Sequence, residues 1–216
     1  MPKLRLLLGD DHTLVRQGLL KILEERPEWD VVAEVGDGRA AVQECIARKP
    51  DVAIIDIGMP LLNGVDATMQ IAKSAPGTRV LILSMHSEEA YVARALEAGA
   101  TGYILKDCAG TDLLNAVEAV ARDEAFFSPA ITRLMLNDYD RNVTGRSVID
   151  RYETLSDRER EIFQLLAEAR TNKEVAELLS ISPATVETHR ARILKKLDVH
   201  SIAELVLYAV SRRVIS

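Results

Sequence analysis

The first 122 residues alternate short apolar runs with longer amphipathic stretches. The apolar runs are rich in Leu, Ile and Val without a polar residue at every second position, which is typical of strands covered on both faces. They predict strands at Leu4–Gly9, Val31–Val35, Val52–Asp56, Val80–Ser84 and Gly102–Leu105. The stretches between and after them predict helices at about Thr13–Glu25, Arg39–Lys49, Val65–Ser74, Glu88–Ala98 and Thr111–Ala121. Because parallel strands need such crossovers, the pattern predicts an α/β fold with a doubly wound, five-stranded parallel sheet.

Residues 123–153 lack this alternation. Ser128-Pro129 is typical of a helix start, with serine as the cap and proline at the first helical position, and predicts a helix over Ala130–Tyr139. Asp140–Asp150 is polar and has almost no apolar residues. We interpret residues 123–153 as a linker that contains one helix.

From residue 154 onward the pattern is purely helical. Three pairs of a hydroxyl residue and a glutamate fit the capping box, in which both side chains satisfy free N–H groups at a helix start. These pairs are Ser156 with Glu159, Thr171 with Glu174, and Ser201 with Glu204. Ser182-Pro183 opens a further helix. Residues 154–216 are therefore predicted to form a second, all-α domain of four helices, distinct from the domain at 1–122.

The composition, with 48% hydrophobic and 28% charged residues among 216, fits a globular protein of two modest domains. No run approaches the ~18 apolar residues that a membrane-spanning helix needs. Asp10 and Asp11 come too early for a secretory signal. Cys45 and Cys108 match no metal-ligand spacing and are too few for a disulfide framework. We therefore expect a cytoplasmic protein without a membrane partner.

The net charge of −6 is unevenly distributed. Residues 1–122 carry a net charge of −5, whereas residues 154–216 carry a net charge of +1. This balance excludes a wholly basic nucleic-acid-binding protein. It leaves open a local cationic surface in the last third of the chain.

Polar residues fall where the predicted strands of the first domain end. Asp10 and Asp11 follow the first strand, Asp56 ends the third, and Lys106 follows the fifth. In a doubly wound sheet these ends share one rim, where ligands bind. Clustered carboxylates repel one another unless a cation holds them, and oxygen ligands suit Mg²⁺. One Asp at a strand end is more often a turn residue, so the coincidence of several predicts the site.

A phosphoryl group is the ligand that this rim fits. Lys106 offers a positive charge and Ser84, at the end of the fourth strand, offers a hydrogen-bond donor. Asp56 is the candidate nucleophile that forms an acyl phosphate, because the adjacent Asp10 and Asp11 suit joint metal binding.

The quoted residues also carry a family resemblance. Over about residues 3–122 the chain resembles the receiver domain of two-component response regulators. The motifs are Asp10-Asp11, Asp56-Ile57-Gly58-Met59-Pro60, Ser84-Met85-His86 and Gly102-Tyr103-Ile104-Leu105-Lys106. The resemblance implies a flavodoxin-like receiver whose phosphate comes from a sensor histidine kinase, and no turnover enzyme.

The resemblance also implies a role for each residue of the site. It assigns Asp56 as phosphoacceptor, Lys106 and Ser84 to the phosphoryl oxygens, and Tyr103 to an aromatic switch that turns inward when Ser84 moves. The Mg²⁺ ligands implied are Asp10, Asp11, Asp56 and the main-chain carbonyl of Gly58. Without the resemblance, Tyr103 would be interpreted as an exposed edge aromatic. We assign no catalytic role to His86.

The predicted helix that opens at Ser182 has two chemically different faces. Val186, Ile193 and Leu197 share one face. The opposite face shows Thr188, Ala191, Arg192 and Lys195. The preceding helix, Asn172–Leu179, is separated from it by Ser180-Ile181, as expected of a helix-turn-helix. A bundle helix with a solvated basic face is the alternative.

The C-terminal sequence resembles the LuxR-type DNA-binding domain, and the whole chain resembles a response regulator of the NarL/FixJ family. The resemblance lies in Leu155-Ser156-Asp157-Arg158-Glu159, Thr171-Asn172-Lys173-Glu174-Val175-Ala176, Thr185-Val186-Glu187-Thr188-His189-Arg190 and Leu197-Asp198-Val199-His200-Ser201. It implies that the side chains that face the DNA bases are Glu187, Thr188, Ala191 and Arg192. Thr185 is also counted among the DNA-binding residues. Lys173, Arg190, Lys195 and Lys196 would meet phosphates or support the fold. Base contacts discriminate sequence, whereas phosphate contacts set position and affinity.

The resemblance further implies that the last helix, Ser201–Val210, pairs two copies of the domain. The residues that allow this pairing are Ile202, Leu205, Val206 and Ala209. A helix that covers its own domain would show the same apolar positions.

Two residues depart from the family pattern by replacing glycine at helix ends. Asp198 tolerates the left-handed conformation that such positions favour, whereas Ala169 does so poorly. We predict that the first helix of the domain runs on past Ala169. Ile202 replaces a residue that is often basic, so one phosphate contact is expected to be missing.

The sequence therefore predicts a transcription factor controlled by phosphorylation of Asp56, which either releases the recognition helix or pairs two chains on double-stranded DNA. A Mg²⁺-dependent phosphohydrolase of the haloacid dehalogenase type is an alternative, although Gly58 stands where those enzymes use a second Asp. A protein-interaction adaptor without DNA binding is the other alternative.

Overall fold

The structure is a computed structural model that describes residues 3–85, 87, 89–107, 110–133, 151–212 and 214–215. The chain forms two compact units, one within residues 1–146 and the other within residues 147–216.

A parallel sheet forms the centre of the N-terminal unit. Its strands are β1 (Leu4–Gly9), β2 (Trp29–Val35), β3 (Val52–Asp56), β4 (Arg79–Ser84), β5 (Gly102–Leu105) and β6 (Phe126–Phe127). Across the described residues, these six strands lie in the order β2-β1-β3-β4-β5-β6. The α/β fold with a parallel sheet is confirmed.

The predicted number of strands is wrong by one. Phe126–Phe127 extends the sheet as β6, with Phe126 paired to Gly102 and Phe127 to Tyr103. A strand of two residues carries no recognisable hydrophobic pattern, so the sequence does not predict it, and Phe126–Phe127 falls within the predicted linker. It joins the sheet because the outer edge of β5 offers unpaired backbone groups.

Helices cover both faces of the sheet. They are α1 (Thr13–Leu23), α2 (Gly38–Arg48), α3 (Gly64–Ser74), α4 (Glu89–Glu97) and α5 (Gly110–Ala121). Consecutive residues of β1 lie in different cores, with Leu7 in one apolar cluster and Leu6 and Leu8 in the other. This explains why the strand sequences do not alternate with polar residues. Cys45 is a buried free thiol in this core, and burial and Glu44 raise its pKa to about 12.

The helix predicted after Ser128-Pro129 begins as expected. Residues 129–133 are helical, and the Thr132 N–H donates to the Ser128 carbonyl at 3.0 Å. The rest of the predicted helix and the polar segment Asp140–Asp150 lie outside the described residues.

The C-terminal unit begins with a 3-10 turn at Arg151–Thr154. It continues with helices α6 (Asp157–Ala167), α7 (Asn172–Leu179), α8 (Pro183–Leu197) and α9 (Ile202–Ser211). Its core includes Tyr152 and Phe163, whose rings meet edge to face at 5.4 Å between centroids. Among the described residues, none of the helices is both long enough and apolar enough to cross a membrane.

The predicted capping residues start these helices. Ser156 with Glu159 and Thr171 with Glu174 form complete capping boxes. Ser201 caps α9 through the Glu204 N–H, but the Glu204 carboxylate accepts from the N–H of His200 instead of Ser201, so this box is incomplete. Ser182 caps α8, with proline in its first turn.

The prediction that the helix runs on past Ala169 is wrong. α6 ends at Ala167, and Ala169 has a φ of 60°. The Ala169 N–H donates to the Leu166 carbonyl and the Arg170 N–H donates to the Leu165 carbonyl, which is the Schellman arrangement. These two bonds satisfy end carbonyls and so offset the cost of the left-handed alanine. Asp198 likewise adopts a φ of 58° after α8.

Candidate functional site

The candidate site of the N-terminal unit lies where β1, β3 and β5 end. The Lys106 Nζ lies 2.8 Å from the Asp10 Oδ2 and 2.8 Å from the Asp56 Oδ2. All three side chains are buried. Three residues that are far apart in the sequence therefore meet because parallel strands bring their carboxyl ends to one rim.

The buried charges shift one another's titration. Burial raises the pKa of Asp56, and the hydrogen bond from Lys106 only partly opposes this. Burial lowers the pKa of Lys106, but its hydrogen bonds to Asp10 and Asp56 outweigh burial and raise it overall. Because two carboxylates share one ammonium group, the site retains capacity for a further cation.

The donor atoms beside these groups fit a divalent cation. Ligand atoms of Asp10, Asp11, His12 and Asp56 lie within 4.8 Å of one another. Carboxylate oxygens are the ligands that Mg²⁺ prefers. Sequence reasoning missed His12, whose Nδ1 lies 2.8 Å from the Asp11 Oδ1, although its position directly after the Asp pair was a signal.

Arg16 fixes the turn that carries the acidic pair, and sequence reasoning missed it as well. Its Nη1 donates to the Asp10 carbonyl at 2.6 Å, and its Nε lies 3.6 Å from the Glu34 carboxylate on β2. The His12 N–H donates to the Asp10 Oδ1 at 2.8 Å. The backbone of this turn is thus held from two sides.

The remaining described residues predicted for this site follow β3 or lie on β4 and β5. The Gly58 N–H donates to the Asp56 carboxylate. Ser84 is fully buried at the end of β4, and its carbonyl accepts from the Lys106 N–H at 2.8 Å. Tyr103 is fully buried in the core, so the interpretation as an exposed edge aromatic is wrong. His86 lies outside the described residues.

The C-terminal unit presents a cationic surface on α8. Val186, Ile193 and Leu197 are buried, as predicted. The exposed face carries Thr188, Ala191, Arg192 and Lys195, and Lys173 is exposed on the adjacent α7. Ser180, which has a φ of 52°, ends α7 and begins the short turn to α8.

Two residues predicted to contact DNA are engaged within the protein. The Lys196 Nζ lies 2.6 Å from the Glu159 Oε2 and donates to the Thr154 carbonyl at 3.0 Å, so Lys196 supports the fold. The Thr185 hydroxyl lies 2.8 Å from that of Ser182 within the N-terminal cap of α8.

Two further residues on α8 have defined partners. Glu187 accepts a hydrogen bond from Asn172 of α7 and lies 3.7 Å from the Arg190 guanidinium. The Thr188 hydroxyl donates to the Ala184 carbonyl at 3.0 Å, and Thr188 is exposed.

Helix α9 buries half of its predicted pairing residues. Leu205 and Ala209 are fully buried in the core of their own unit. Ile202 and Val206 are half-buried, whereas Leu207 and Val210 are exposed. Leu205 and Ala209 therefore fit the alternative in which the helix covers its own domain.

Two family descriptions match the two units. Residues 6–118 match the response regulator receiver domain. Residues 153–209 match the luxR family of bacterial regulatory proteins. The chain belongs to the response regulators. It combines a receiver with a LuxR-type DNA-binding domain, as transcriptional regulators of two-component systems do. The matched families are therefore not that of the haloacid dehalogenase type hydrolases, which was the alternative.

Relatives of this response regulator match over nearly the full chain. It is 38% identical to the oxygen regulatory protein NreC of Staphylococcus carnosus (strain TM300), over 98% of this chain and 99% of NreC. NreC of Staphylococcus haemolyticus (strain JCSC1435) is also 38% identical, with the same coverage.

Solved structures agree with the family. The response regulator ChrA of a heme-sensing two-component system is 35% identical over 100% of both chains, with a TM-score of 0.54. A structure of two RcsB dimers bound to two parallel DNAs is 26% identical over 97% of this chain and 98% of RcsB, with a TM-score of 0.59. Receiver domains generally bind Mg²⁺ at an acidic pocket, which the Asp10, Asp11 and Asp56 cluster of this response regulator resembles.

Proposed function

We propose that Asp56 of this response regulator accepts a phosphoryl group from a sensor histidine kinase and that the phosphorylated protein regulates transcription by binding double-stranded DNA. The contact of the Lys106 ammonium group with both Asp10 and Asp56, at 2.8 Å each, is the observation that carries the proposal. It supports the proposal because the candidate nucleophile Asp56, the Lys106 ammonium group and Asp10, the first residue of the acidic pair, lie together at one sheet rim.

In the transfer step, a carboxylate oxygen of Asp56 attacks the phosphorus of a phosphohistidine. The O–P bond forms while the N–P bond breaks, and the leaving nitrogen takes the electron pair and a proton from solvent. Lys106 favours the ionised form of Asp56 and then pairs with the new phosphoryl oxygens. The protein serves as phosphoacceptor and not as a turnover enzyme.

The acidic cluster would hold Mg²⁺ through Asp10, Asp11, Asp56 and the main-chain carbonyl of Gly58. The ion supplies positive charge against the incoming phosphoryl oxygens. The Ser84 hydroxyl binds one phosphoryl oxygen, and its movement is coupled to Tyr103, which lies on the adjacent strand β5.

Helix α8 is the surface that enters the major groove. Glu187, Thr188, Ala191 and Arg192 face bases, whereas Lys173, Arg190 and Lys195 meet phosphates. The exposed, cationic face with small residues between the charges supports this assignment. Because Ile202 and Val206 are the predicted pairing residues that reach the surface of α9, a phosphorylated homodimer would use them.

Transfer of phosphate from phosphoramidate, followed by intact-mass measurement, tests the receiver. We expect one phosphoryl group on the wild type, and on Asp56→Ala no incorporation. Asp51→Asn is the matched control, because Asp51 directly precedes the first residue of β3, at the end of the strand opposite to Asp56, and its side chain accepts from the Arg5 N–H at 2.8 Å. Stoichiometric labelling of the Asp56→Ala variant would remove Asp56 from its role.

Capture of genomic DNA fragments at fixed moderate salt tests the output. We expect specific fragments only when Mg²⁺ and beryllofluoride, a phosphoryl mimic, are present. The same fragments with and without the mimic would contradict control by phosphorylation. No salt-dependent binding in either state would favour the adaptor alternative.

A further inference from the structure

Glu187 is the one acidic residue within residues 187–196 of the cationic helix α8. A carboxylate near the DNA phosphates is repelled, so a glutamate there requires a physical reason. Its side chain is 60% exposed, yet two residues restrain it. Asn172 Nδ2 donates to the Glu187 Oε2, and the Arg190 Nη1 lies 3.7 Å from the same oxygen.

These contacts position the carboxylate before DNA arrives. Asn172 is the first residue of α7, so its hydrogen bond spans the two helices of the helix-turn-helix. Arg190 compensates part of the negative charge. Because both partners use Oε2, Oε1 is the oxygen available to DNA. A restrained side chain loses less entropy on binding than a mobile one.

The chemistry of the major groove then limits which base Oε1 can accept from. An ionised carboxylate only accepts hydrogen bonds. In the major groove, guanine presents two acceptors and thymine an acceptor and a methyl group, whereas cytosine presents the N4 donor. Adenine presents the N6 donor beside the N7 acceptor, and N7 repels a carboxylate.

We propose that Glu187, positioned by Asn172 and Arg190, selects cytosine at one base pair of each half-site. This inference rests on the proposed function, because it requires α8 to enter the major groove. Asn172 is a positioning residue in this scheme: it acts on the base through the orientation of Glu187.

Selection from a randomised duplex library tests the base that Glu187 reads. The full chain is used at fixed salt with Mg²⁺ and beryllofluoride, as wild type and as Glu187→Gln. Glutamine retains the side-chain length, but its amide oxygen stays with Asn172 and Arg190, so the Nε2 donor stands where Oε1 did and cannot accept from cytosine N4. In the wild type we expect a cytosine preference of about tenfold in Kd between duplexes that differ at that position. In Glu187→Gln we expect this preference to be lost in favour of a base that presents an acceptor there.

Asn172→Ala tests the positioning role. We expect the cytosine preference at that same position to fall by roughly threefold, with the bases selected elsewhere unchanged. A merely structural role of Asn172 would weaken binding to every duplex equally. Glu177→Gln, at an exposed glutamate of α7, makes the same charge change as Glu187→Gln and is expected to keep the wild-type preference.

The outcomes separate the inference from the proposed function. If the wild type binds specific DNA but Glu187→Gln selects the same bases at every position, the role of Glu187 in base selection is overturned. An unchanged cytosine preference in Asn172→Ala overturns the positioning role. If the wild type shows no salt-dependent DNA binding, the proposed function fails as well.

Discussion

At the scale of single residues, Gly64 constrains the backbone of the phosphoacceptor. A Cβ at this position would lie 2.1 Å from the Asp56 carbonyl oxygen and 2.8 Å from its carbonyl carbon. Since Asp56 is paired within the sheet, its backbone cannot shift easily. We expect Gly64→Ala to lower the free energy of unfolding of the N-terminal unit by at least about 2 kcal/mol and to reduce phosphate incorporation. Urea unfolding followed by fluorescence of the single, buried Trp29 measures the stability.

Gly18 provides the matched control for this substitution. It lies within α1, and a Cβ there would meet no atom within 4 Å among the described residues. Because alanine favours a helix over glycine, Gly18→Ala is expected to raise stability by about 0.5–1 kcal/mol. A Gly64→Ala variant as stable as the wild type would show that the close approach imposes no constraint.

Ala169 shows where propensity misleads. Because alanine disfavours a positive φ, Ala169 predicts a continuing helix. In the structure the Schellman bonds at the end of α6 instead hold Ala169 in the left-handed conformation. We expect Ala169→Gly to stabilise the C-terminal unit by about 1 kcal/mol, because glycine removes the left-handed strain. Ala191→Gly, in the exposed middle of α8, should destabilise it by about 1 kcal/mol. Amide hydrogen exchange in α6 and α8 measures both, and a destabilised Ala169→Gly variant would contradict the strain.

At the scale of elements, pattern length decided what the sequence could predict. The predicted bounds of β1, β3 and β5 coincide with those in the structure, because buried strands have continuous apolar runs. β6 has two residues, and its place depends on pairing with β5, which no local pattern encodes. The capping residues of α6 to α8 were predictable because a hydroxyl side chain bonds a backbone N–H nearby in the sequence.

An ion pair between Glu159 and Lys196 joins α6 to α8. Burial raises the pKa of Glu159, but the hydrogen bonds from Lys196 and Ser156 outweigh burial, so the pKa lies below its ordinary value of 4.5. A carboxyl group whose pKa is lowered on folding stabilises the folded state at pH values above its ordinary pKa. This stabilisation is lost as the pH falls through the folded-state pKa. Glu159→Gln keeps the capping box and loses the ion pair. We therefore expect the free energy of unfolding to fall by about 1 kcal/mol near neutral pH, and this difference from the wild type to shrink below pH 4.5.

Urea titrations followed by the NMR signals of the Tyr152 and Phe163 rings measure this difference, since both rings lie in the C-terminal core. Glu177→Gln removes an exposed carboxylate of α7 and should show little difference from the wild type at either pH. A gap between wild type and Glu159→Gln that stays constant from neutral to acidic pH would contradict the ion pair as its source.

At the scale of the whole molecule, topology and packing differ in how much the sequence reveals. Asp10, Asp56 and Lys106 could be predicted to meet because any doubly wound parallel sheet places those strand ends together. The partners of Lys196 and Leu205 could not, because they depend on how helices pack within the C-terminal unit. Helical spacing alone gives a side chain's face, but not whether a neighbouring helix covers it.

The salt dependence of DNA binding tests whether a lysine of α8 faces DNA or is held by its own unit. The slope of log K against log salt reports how many counterions are released from DNA, and it does not depend directly on the net charge of −6. The Lys195 side chain lies on the exposed face of α8, whereas the Lys196 ammonium group is held by Glu159 and the Thr154 carbonyl. We expect Lys195→Ala to reduce the magnitude of the slope by about 1 per bound chain. Lys196→Ala should leave the slope unchanged and lower the stability of the C-terminal unit.

Fluorescence anisotropy over a salt series measures both slopes under conditions where each variant is folded. If Lys196→Ala lowers the slope as much as Lys195→Ala, the ammonium group leaves Glu159 for a phosphate, and the ion pair between α6 and α8 is a resting contact that DNA displaces.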